Sequence, residues 1–370
     1  MTQAQQPEAN PAPNDYSAYE GTMPVGAAHR VDLAALDAWL AGNLDGYAGP
    51  LTIEQFRGGQ SNPTYRLATP ARRYVLRAKP APAARLLPSA HAIDREYRVM
   101  SALADTDVPV PRMLAFCDDE SVIGRAFYLM HYVEGRVLWD PSLPGMTPAE
   151  RAAHYDEVNR VIAALHTLDP QALGLGDYGK PGNYFARQIA RWSKQYAATE
   201  TEPIEAMHRL IDWLPQHVPA SDGGQECSAI VHGDFRIDNL IFAPDSPRVL
   251  AVLDWELSTL GNPLADFAYH CMTWHNEPGR FRGIAGLDLA ALGIPDERHT
   301  IARYLKRTGF AIEGDWHFYL AYNMFRIAAI LQGIMKRVAD GTASSARALD
   351  AGRQARPMAE LAWHYAQRVH

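Results

Sequence analysis

Apolar residues recur with two different periods along this chain, and the dominant period changes near residue 135. Up to about residue 135, short apolar runs bounded by Gly, Pro, Asn or Asp dominate, at 51–56, 65–68, 74–78, 113–117 and 126–133. Runs of that length and flanking chemistry predict β-strands. Two stretches in the same part, 31–44 and 90–103, carry apolar residues at helical spacing instead. Val108-Pro109-Val110-Pro111 must be extended, because each proline disfavours helix in the residue before it. Beyond residue 135 helical spacing takes over. Thr147-Pro148-Ala149-Glu150 has the form of a capping box with proline at the first helical position, and Asp169-Pro170 ends the helix it starts. Further helices are expected over 183–199 and 203–217, short strands over 229–232, 240–242 and 249–253, and helices again from Pro263 onward. The polar, Pro-rich start predicts a disordered tail over 1–28. A mostly antiparallel sheet with one helix inserted after its third strand should fill 29–134, and a mainly helical part 135–370. The expected class is α+β.

Composition narrows the function. Hydrophobic residues make up 47% and charged residues 21%, as in an ordinary globular chain. A net charge of -7 gives no whole-chain argument for nucleic acid, which usually meets a basic domain. No apolar run approaches the roughly 20 residues needed to cross a bilayer, and the first residues lack the pattern of a signal peptide. Cys117, Cys227 and Cys271 form no CxxC pair, which fits reduced thiols and a cytoplasmic location. The fourteen histidines show no HExxH spacing.

The chemistry concentrates in Ile230-Val231-His232-Gly233-Asp234-Phe235-Arg236-Ile237-Asp238-Asn239-Leu240-Ile241. An apolar strand leads in, a turn carries Asp234 and Asn239, and an apolar strand leads out. Val252-Leu253-Asp254-Trp255-Glu256 follows, with another carboxylate at a strand end. Phosphoryl transfer needs these types together. A carboxylate orients the acceptor hydroxyl and takes its proton. Mg²⁺ takes hard oxygen ligands such as a carboxylate and an amide oxygen, and a nearby cation offsets phosphoryl charge. Asp234, Asn239, Asp254 and Arg236 supply those parts.

HGDFRIDN resembles the catalytic loop of the aminoglycoside phosphotransferase family, relatives of protein kinases. The resemblance implies a two-lobe protein-kinase-like fold and use of ATP and Mg²⁺. It makes Asp234 the catalytic base and Asn239 and Asp254 the metal ligands, with Trp255-Glu256 in place of the kinase Phe-Gly. Gly58, Gly59, Gln60, Ser61 and Asn62 then occupy the place of a phosphate-covering loop, although Gly-Gly between strands is also plain hairpin chemistry. Arg77 stands where the third-strand lysine is usual. Lys79, on the same strand face, is the alternative, and Glu96 is the helix glutamate expected to pair with that cation. Met130, His131 and Val133 fall at the strand and hinge whose backbone would meet adenine. His232 is expected to pack beneath the loop, and Asp266 to anchor it.

The acceptor is read from one helix. Arg187, Arg191 and Lys194 recur at i, i+4 and i+7, which makes a basic stripe suited to an anionic substrate or simply a solvated face. The runs RLLPSAHAIDREYRVM, GNYFARQIARWSKQY and VLDWELSTLGNPLADFAYH resemble the kinase-like domain of acyl-CoA dehydrogenase family members 10 and 11. That resemblance implies phosphorylation of the hydroxyl of a hydroxyacyl-CoA, notably a 4-hydroxyacyl-CoA, by a kinase-like domain with no room for a dehydrogenase. The alternatives are an aminoglycoside or amino-alcohol kinase and a catalytically inactive nucleotide-binding module. The oligomeric state is left open.

Overall fold

The computed structural model describes residues 16, 20–57, 62–80, 92–224, 228–279, 281–343 and 347–370. Gly58, Gly59, Gln60 and Ser61 of the expected phosphate loop, the start of the 90–103 helix and Cys227 lie outside the described residues. The chain divides into two compact units, one of residues 1–101 and 111–134, the other of 102–110 and 135–370.

The first unit is built on an antiparallel sheet. Its elements in order are β1 (Thr22–Met23), α1 (Leu33–Asn43), β2 (Thr52–Phe56), β3 (Thr64–Ala68), β4 (Arg73–Ala78), α2 (Ile93–Leu103), β5 (Met113–Cys117) and β6 (Phe127–His131). The strand order is β1-β2-β3-β4-β6-β5, so the later pair adds beside β4 after the α2 excursion. Alternation decides which face each side chain takes. On β4, Tyr74, Leu76 and Ala78 join Leu36 and Leu40 of α1, Tyr65 and Leu67 of β3, and Phe127 and Leu129 of β6 in one apolar core. Arg77, out of phase with that set, points to the other face. The register pairs Arg77 with Tyr128.

The expected tail is too long by a strand. Met23 pairs with Gln55, and the Thr22 hydroxyl donates to Glu54 at 2.8 Å. A two-residue strand spans a single repeat of the strand period and so leaves no periodic trace.

The second unit contains β7 (Arg136–Val137), α3 (Pro148–His166), α4 (Tyr184–Thr199), α5 (Glu205–Trp213), β8 (Ala229–Val231), β9 (Leu240–Phe242), β10 (Val249–Val252), β11 (Thr259–Gly261), α6 (Pro263–Cys271), α7 (Leu289–Leu292), α8 (Glu297–Thr308), α9 (Trp316–Ala339), α10 (Ala348–Arg353) and α11 (Ala355–Ala366). The capping box forms as its sequence predicts: Glu150 N donates to the Thr147 hydroxyl and Thr147 N to the Glu150 carboxylate. β7 and β11 are further short strands that the pattern did not reveal. β11 pairs with β8, and β9 lies between β10 and β7. The ends of β8 and β10 meet through the His232 ring, whose Nε2 lies 2.8 Å from Leu253 O. α3 and α6 pack against β8, and α9, buried from Phe318 to Ala329, packs against α6 in turn. α6 starts at Asn262, whose side-chain oxygen accepts from Leu264 N and Ala265 N, and all nine of its residues are buried. Among the described residues no helix is long and apolar enough to cross a membrane. Cys117 and Cys271 are buried free thiols.

Candidate active site

The turn after β8 is bolted to the start of α6. His232 N and Gly233 N donate to the two carboxylate oxygens of Asp266 at 2.7 and 2.8 Å. His166 and, beyond it, the Tyr304 hydroxyl continue the chain of hydrogen bonds, at 3.2 and 2.7 Å. Burial alone would raise the Asp266 carboxyl. The hydrogen bond and charge of the His166 ring, with the His232 contacts, hold it below the usual range instead. Gly233 has φ +83°, and a Cβ there would lie 2.7 Å from Leu257 O. Only glycine fits both demands.

That turn presents Asp234. Its Oδ2 accepts from Arg236 at 3.1 Å and from Asn239 Nδ2 at 3.0 Å, while Oδ1 accepts from the Tyr269 hydroxyl. Burial opposes ionisation of Asp234. The Arg236 guanidinium and the Tyr269 hydroxyl outweigh it and keep the carboxyl below its ordinary value. Tyr269 is pushed far up by burial and by the Asp234 charge, so it stays a donor. Arg326, buried in α9, donates to Gly233 O and lies over the Tyr269 ring at 5.2 Å.

His232 performs the packing role expected of it. Asp234 N donates to its Nδ1 at 3.2 Å and its Nε2 faces Leu253 O at 2.8 Å, an arrangement that assigns the proton to Nε2. Both ring nitrogens are thereby engaged with backbone. Leu253 N in turn donates to Asn239 O at 2.8 Å. The backbone before Asp254 is thus stitched to both ends of the Asp234–Asn239 turn. Asp254 itself takes a left-handed conformation, φ 66° and ψ 58°, which a short polar side chain tolerates. Its charge is among those acting on Arg236. The Asn239 amide nitrogen also donates to Asp234 O at 2.8 Å. With its nitrogen committed to Asp234, the amide oxygen is turned away from that carboxylate. An amide oxygen and the Asp254 carboxylate are a hard donor pair that suits Mg²⁺ completed by phosphate oxygens and water.

In the first unit, Arg77 Nε lies 2.9 Å from Glu96 Oε2. Glu96 also accepts from Asn62 Nδ2 at 3.0 Å and from the Tyr128 hydroxyl at 2.9 Å. Of the two cations left open at the end of the third strand, Arg77 and Lys79, Arg77 is therefore the one joined to the helix glutamate. Both partners are nearly inaccessible, Arg77 at 8% and Glu96 at 1%. Met130 pairs within the sheet with Val75, and His131 N donates to Arg112 O. Val133 follows the end of β6 and is half-buried.

The basic stripe on α4 divides. Arg187 donates to Gly182 O and Lys180 O, so it ties down the loop before its own helix. Arg191 lies over the Trp192 ring at 5.0 Å, and Arg191 and Lys194 are exposed.

Three residues at this centre escaped the sequence reading. Tyr269 sits three positions after Asp266, one helical turn on, and so shares its face. Arg326 is a lone cation inside the apolar run of α9, a costly placement that signals a role. Arg282 pairs with the buried Asp238 at 2.6 Å, across an interval with no periodic signal.

Comparison with known proteins agrees with this architecture. Residues 52–305 match the model of the phosphotransferase enzyme family. The chain is 48% identical over 351 residues to mouse acyl-CoA dehydrogenase family member 10, covering 94% of this chain and 32% of that protein. It is 41% identical to rat acyl-CoA dehydrogenase family member 11, covering 94% of this chain and 45% of that protein. It thus spans less than half the length of either relative. A crystal structure from Ralstonia eutropha, described as a candidate aminoglycoside phosphotransferase, is 66% identical with a TM-score of 0.84, covering 92% of this chain and all of the other. At 18% identity, aminoglycoside phosphotransferase APH(4)-Ia in complex with ADP and hygromycin B shares the fold with a TM-score of 0.59, over 90% of this chain and 98% of that one. Choline kinase from Cryptosporidium parvum shares it at 12% identity and a TM-score of 0.60, over 91% and 96%. The chain belongs to the phosphotransferase enzyme family and has its α+β kinase-like fold.

Proposed function

We propose that this protein moves the γ-phosphoryl group of ATP to the hydroxyl of a hydroxyacyl-CoA, a 4-hydroxyacyl-CoA in the first instance. The observation that carries the phosphotransfer reading is the Asp234 carboxylate, kept ionised by Arg236 and Tyr269 and joined through Asn239 to the loop of Asp254. Asp234 orients the acceptor hydroxyl and receives its proton as the oxygen bonds to the γ-phosphorus. The bond from that phosphorus to the bridging oxygen breaks, and ADP leaves. Arg236, permanently charged between Asp234 and Asp238, steadies the transferred group. Arg77, aligned by Glu96, holds phosphate oxygens, as would Gly58, Gly59, Gln60, Ser61 and Asn62. The backbone at Met130, His131 and Val133 meets the adenine. Asn239 and Asp254 would hold Mg²⁺, which when bound neutralises phosphate charge.

The acceptor assignment draws on the names of the relatives, acyl-CoA dehydrogenase family members at 41–48% identity. Exposed Arg191 and Lys194 would face the phosphates of a coenzyme A thioester. The test is ADP release with ATP and Mg²⁺ across hydroxyacyl-CoA thioesters, the matching free hydroxy acids, kanamycin and choline. Turnover of a 4-hydroxyacyl-CoA that Asp234→Ala abolishes, with ATP still bound, is the expected result. Efficient kanamycin or choline turnover without thioester turnover would replace this acceptor.

A further inference from the structure

The catalytic turn carries charges of alternating sign at every second position, Asp234, Arg236 and Asp238, and a fourth charge reaches it from elsewhere. Arg282 belongs to the loop after α6, and its Nη1 lies 2.6 Å from Asp238 Oδ2. Arg236 Nη2 lies 3.7 Å from that same oxygen and donates to Asp234 Oδ2 at 3.1 Å. Two guanidinium groups thus approach one carboxylate oxygen, and the one from the distant loop holds it.

A competing pairing shows in what is left unmade. Asp238 Oδ1 and Arg236 Nε are buried polar atoms with no hydrogen-bond partner among the described residues. They are an acceptor and a donor that a two-bond arginine–carboxylate pair would use. Arg236 could close on Asp238, and the structure stops short of it. Burial opposes the charge of Arg236, and Asp234 and then Asp238 more than offset it. Two carboxylates therefore compete for one guanidinium. The Asp238 side chain is only 2% exposed, so its charge must be met from within the protein.

The loop delivers Arg282 in a fixed place. Phe281 and Arg282 are consecutive left-handed residues, φ 42° and 54°, neither of them glycine. Such a pair marks a conformation imposed by its surroundings. Ile284 N donates to Thr273 O and Ala285 N to Asn276 O, both at 2.9 Å. Gly283 lies so close to Asn276 that a Cβ would fall 1.7 Å from its carbonyl oxygen. The Arg282 guanidinium also lies over the Trp139 ring at 5.8 Å.

We propose that Arg282 is a positioning residue for phosphotransfer: it takes up the Asp238 carboxylate and so leaves Arg236 to Asp234 and the transferred group. This inference rests on the phosphotransfer reading above. With Arg282 in place the four charges sum to zero. Without it the set turns net negative, and Asp238 draws Arg236 away from Asp234. Asp234 otherwise faces Arg236 and His232 of its own turn, Tyr269 of α6 and Arg326 of α9, while Asp254 acts on Arg236.

The test reads kcat and the acidic limb of kcat/KM in the full chain, with ATP, Mg²⁺ and a 4-hydroxyacyl-CoA, or with kanamycin or choline should one of those be the acceptor. Arg282→Met should lower kcat by about tenfold or more. It should also move the limb to higher pH by about one unit, since Asp234 loses its cation while a negative charge nearby goes unmatched. Asp238→Asn should move the limb the other way. The double variant Arg282→Met/Asp238→Asn should bring both readouts back toward the parent, although it lacks more contacts than either single variant. Arg282→Gln, which keeps a donor for Asp238, carries the same comparison should the methionine variant misfold. A double variant as slow as the Arg282 variant, with its limb still displaced, reduces Arg282 to a structural contact and overturns the proposal while phosphotransfer stands. Parental kcat and limb in the Arg282 variant do the same. No turnover of any of these acceptors by the unmodified protein overturns the phosphotransfer reading, and this inference with it.

Discussion

The Tyr269 hydroxyl donates to Oδ1 of Asp234, on the side of the carboxylate opposite Arg236 and Asn239. The two oxygens are thus held from different elements, Oδ2 by the catalytic turn and Oδ1 by α6. This bond helps to keep Asp234 ionised, because a donor favours the charged form. Tyr269→Phe removes it without altering the ring. The expected fall in kcat is about tenfold to a hundredfold, the worth of a hydrogen bond to a charged group. The acidic limb of the kcat/KM profile should also move to higher pH, since the base loses a contact that lowered its pKa. A profile with an unmoved limb and normal kcat would remove Tyr269 from the mechanism.

Glu96 gathers three donors in the first unit: Arg77, Asn62 and Tyr128. Removing one partner of a buried ion pair leaves the other uncompensated, at roughly 3–5 kcal/mol. Glu96→Ala should therefore lose stability on that scale in urea denaturation. It should also raise the KM for ATP more than the KM for the acceptor, because Arg77 loses its orientation. Equal changes in the two KM values would separate this pair from nucleotide binding.

Gly233 has the sharpest steric demand in the catalytic turn, a positive φ together with a Cβ position 2.7 Å from Leu257 O. Gly233→Ala should destabilise by about 1–3 kcal/mol through backbone strain. Because Asp234 is the next residue, activity should fall further than stability. Fully active, normally stable Gly233→Ala protein would mean that the turn adapts freely.

Much of this was legible in the sequence, and the boundary is physical. Asp234 and Asn239 lie five residues apart in one turn between apolar strands, so their meeting is local. Arg77 follows from alternation along β4: once Tyr74 and Leu76 face the core, Arg77 must face the side from which Glu96 arrives. Periodicity fixes a face, however, and never a partner. Tyr269 meets Asp234 across 35 positions and Arg326 meets Gly233 across 93, through packing alone. The α4 stripe was visible as a stripe. That Arg187 is spent on two carbonyls of its own loop was not, because carbonyl acceptors carry no side-chain signature.

The same division makes the stripe testable. Arg187→Ala should cost stability, by about 1 kcal/mol for lost hydrogen bonds to backbone, with little change in acceptor KM. The double variant Arg191→Ala/Lys194→Ala should keep its stability and raise the KM for a coenzyme A thioester, the more so at low salt where exposed charges act at longer range. An unchanged KM at low salt would assign all three residues to structure and solvation.

Asp266 couples the fold to pH. Its carboxyl is lowered below the ordinary value, so its unfolded pKa of about 3.9 lies above the folded one. A depressed group contributes stability that is fully present above the unfolded pKa and is lost as pH falls through the folded one. Stability measured by urea midpoint should therefore hold down to about pH 4 and drop below it, with Asp266 among the causes. Asp266→Asn keeps one acceptor but places an amide NH₂ among the donors His232 N and Gly233 N. It should cost about 3 kcal/mol near neutrality, as an unsatisfied buried group does, and flatten the acid limb of the stability curve. A variant as stable as the parent at pH 7, with the same acid limb, would mean that the catalytic turn is held by something other than this carboxylate.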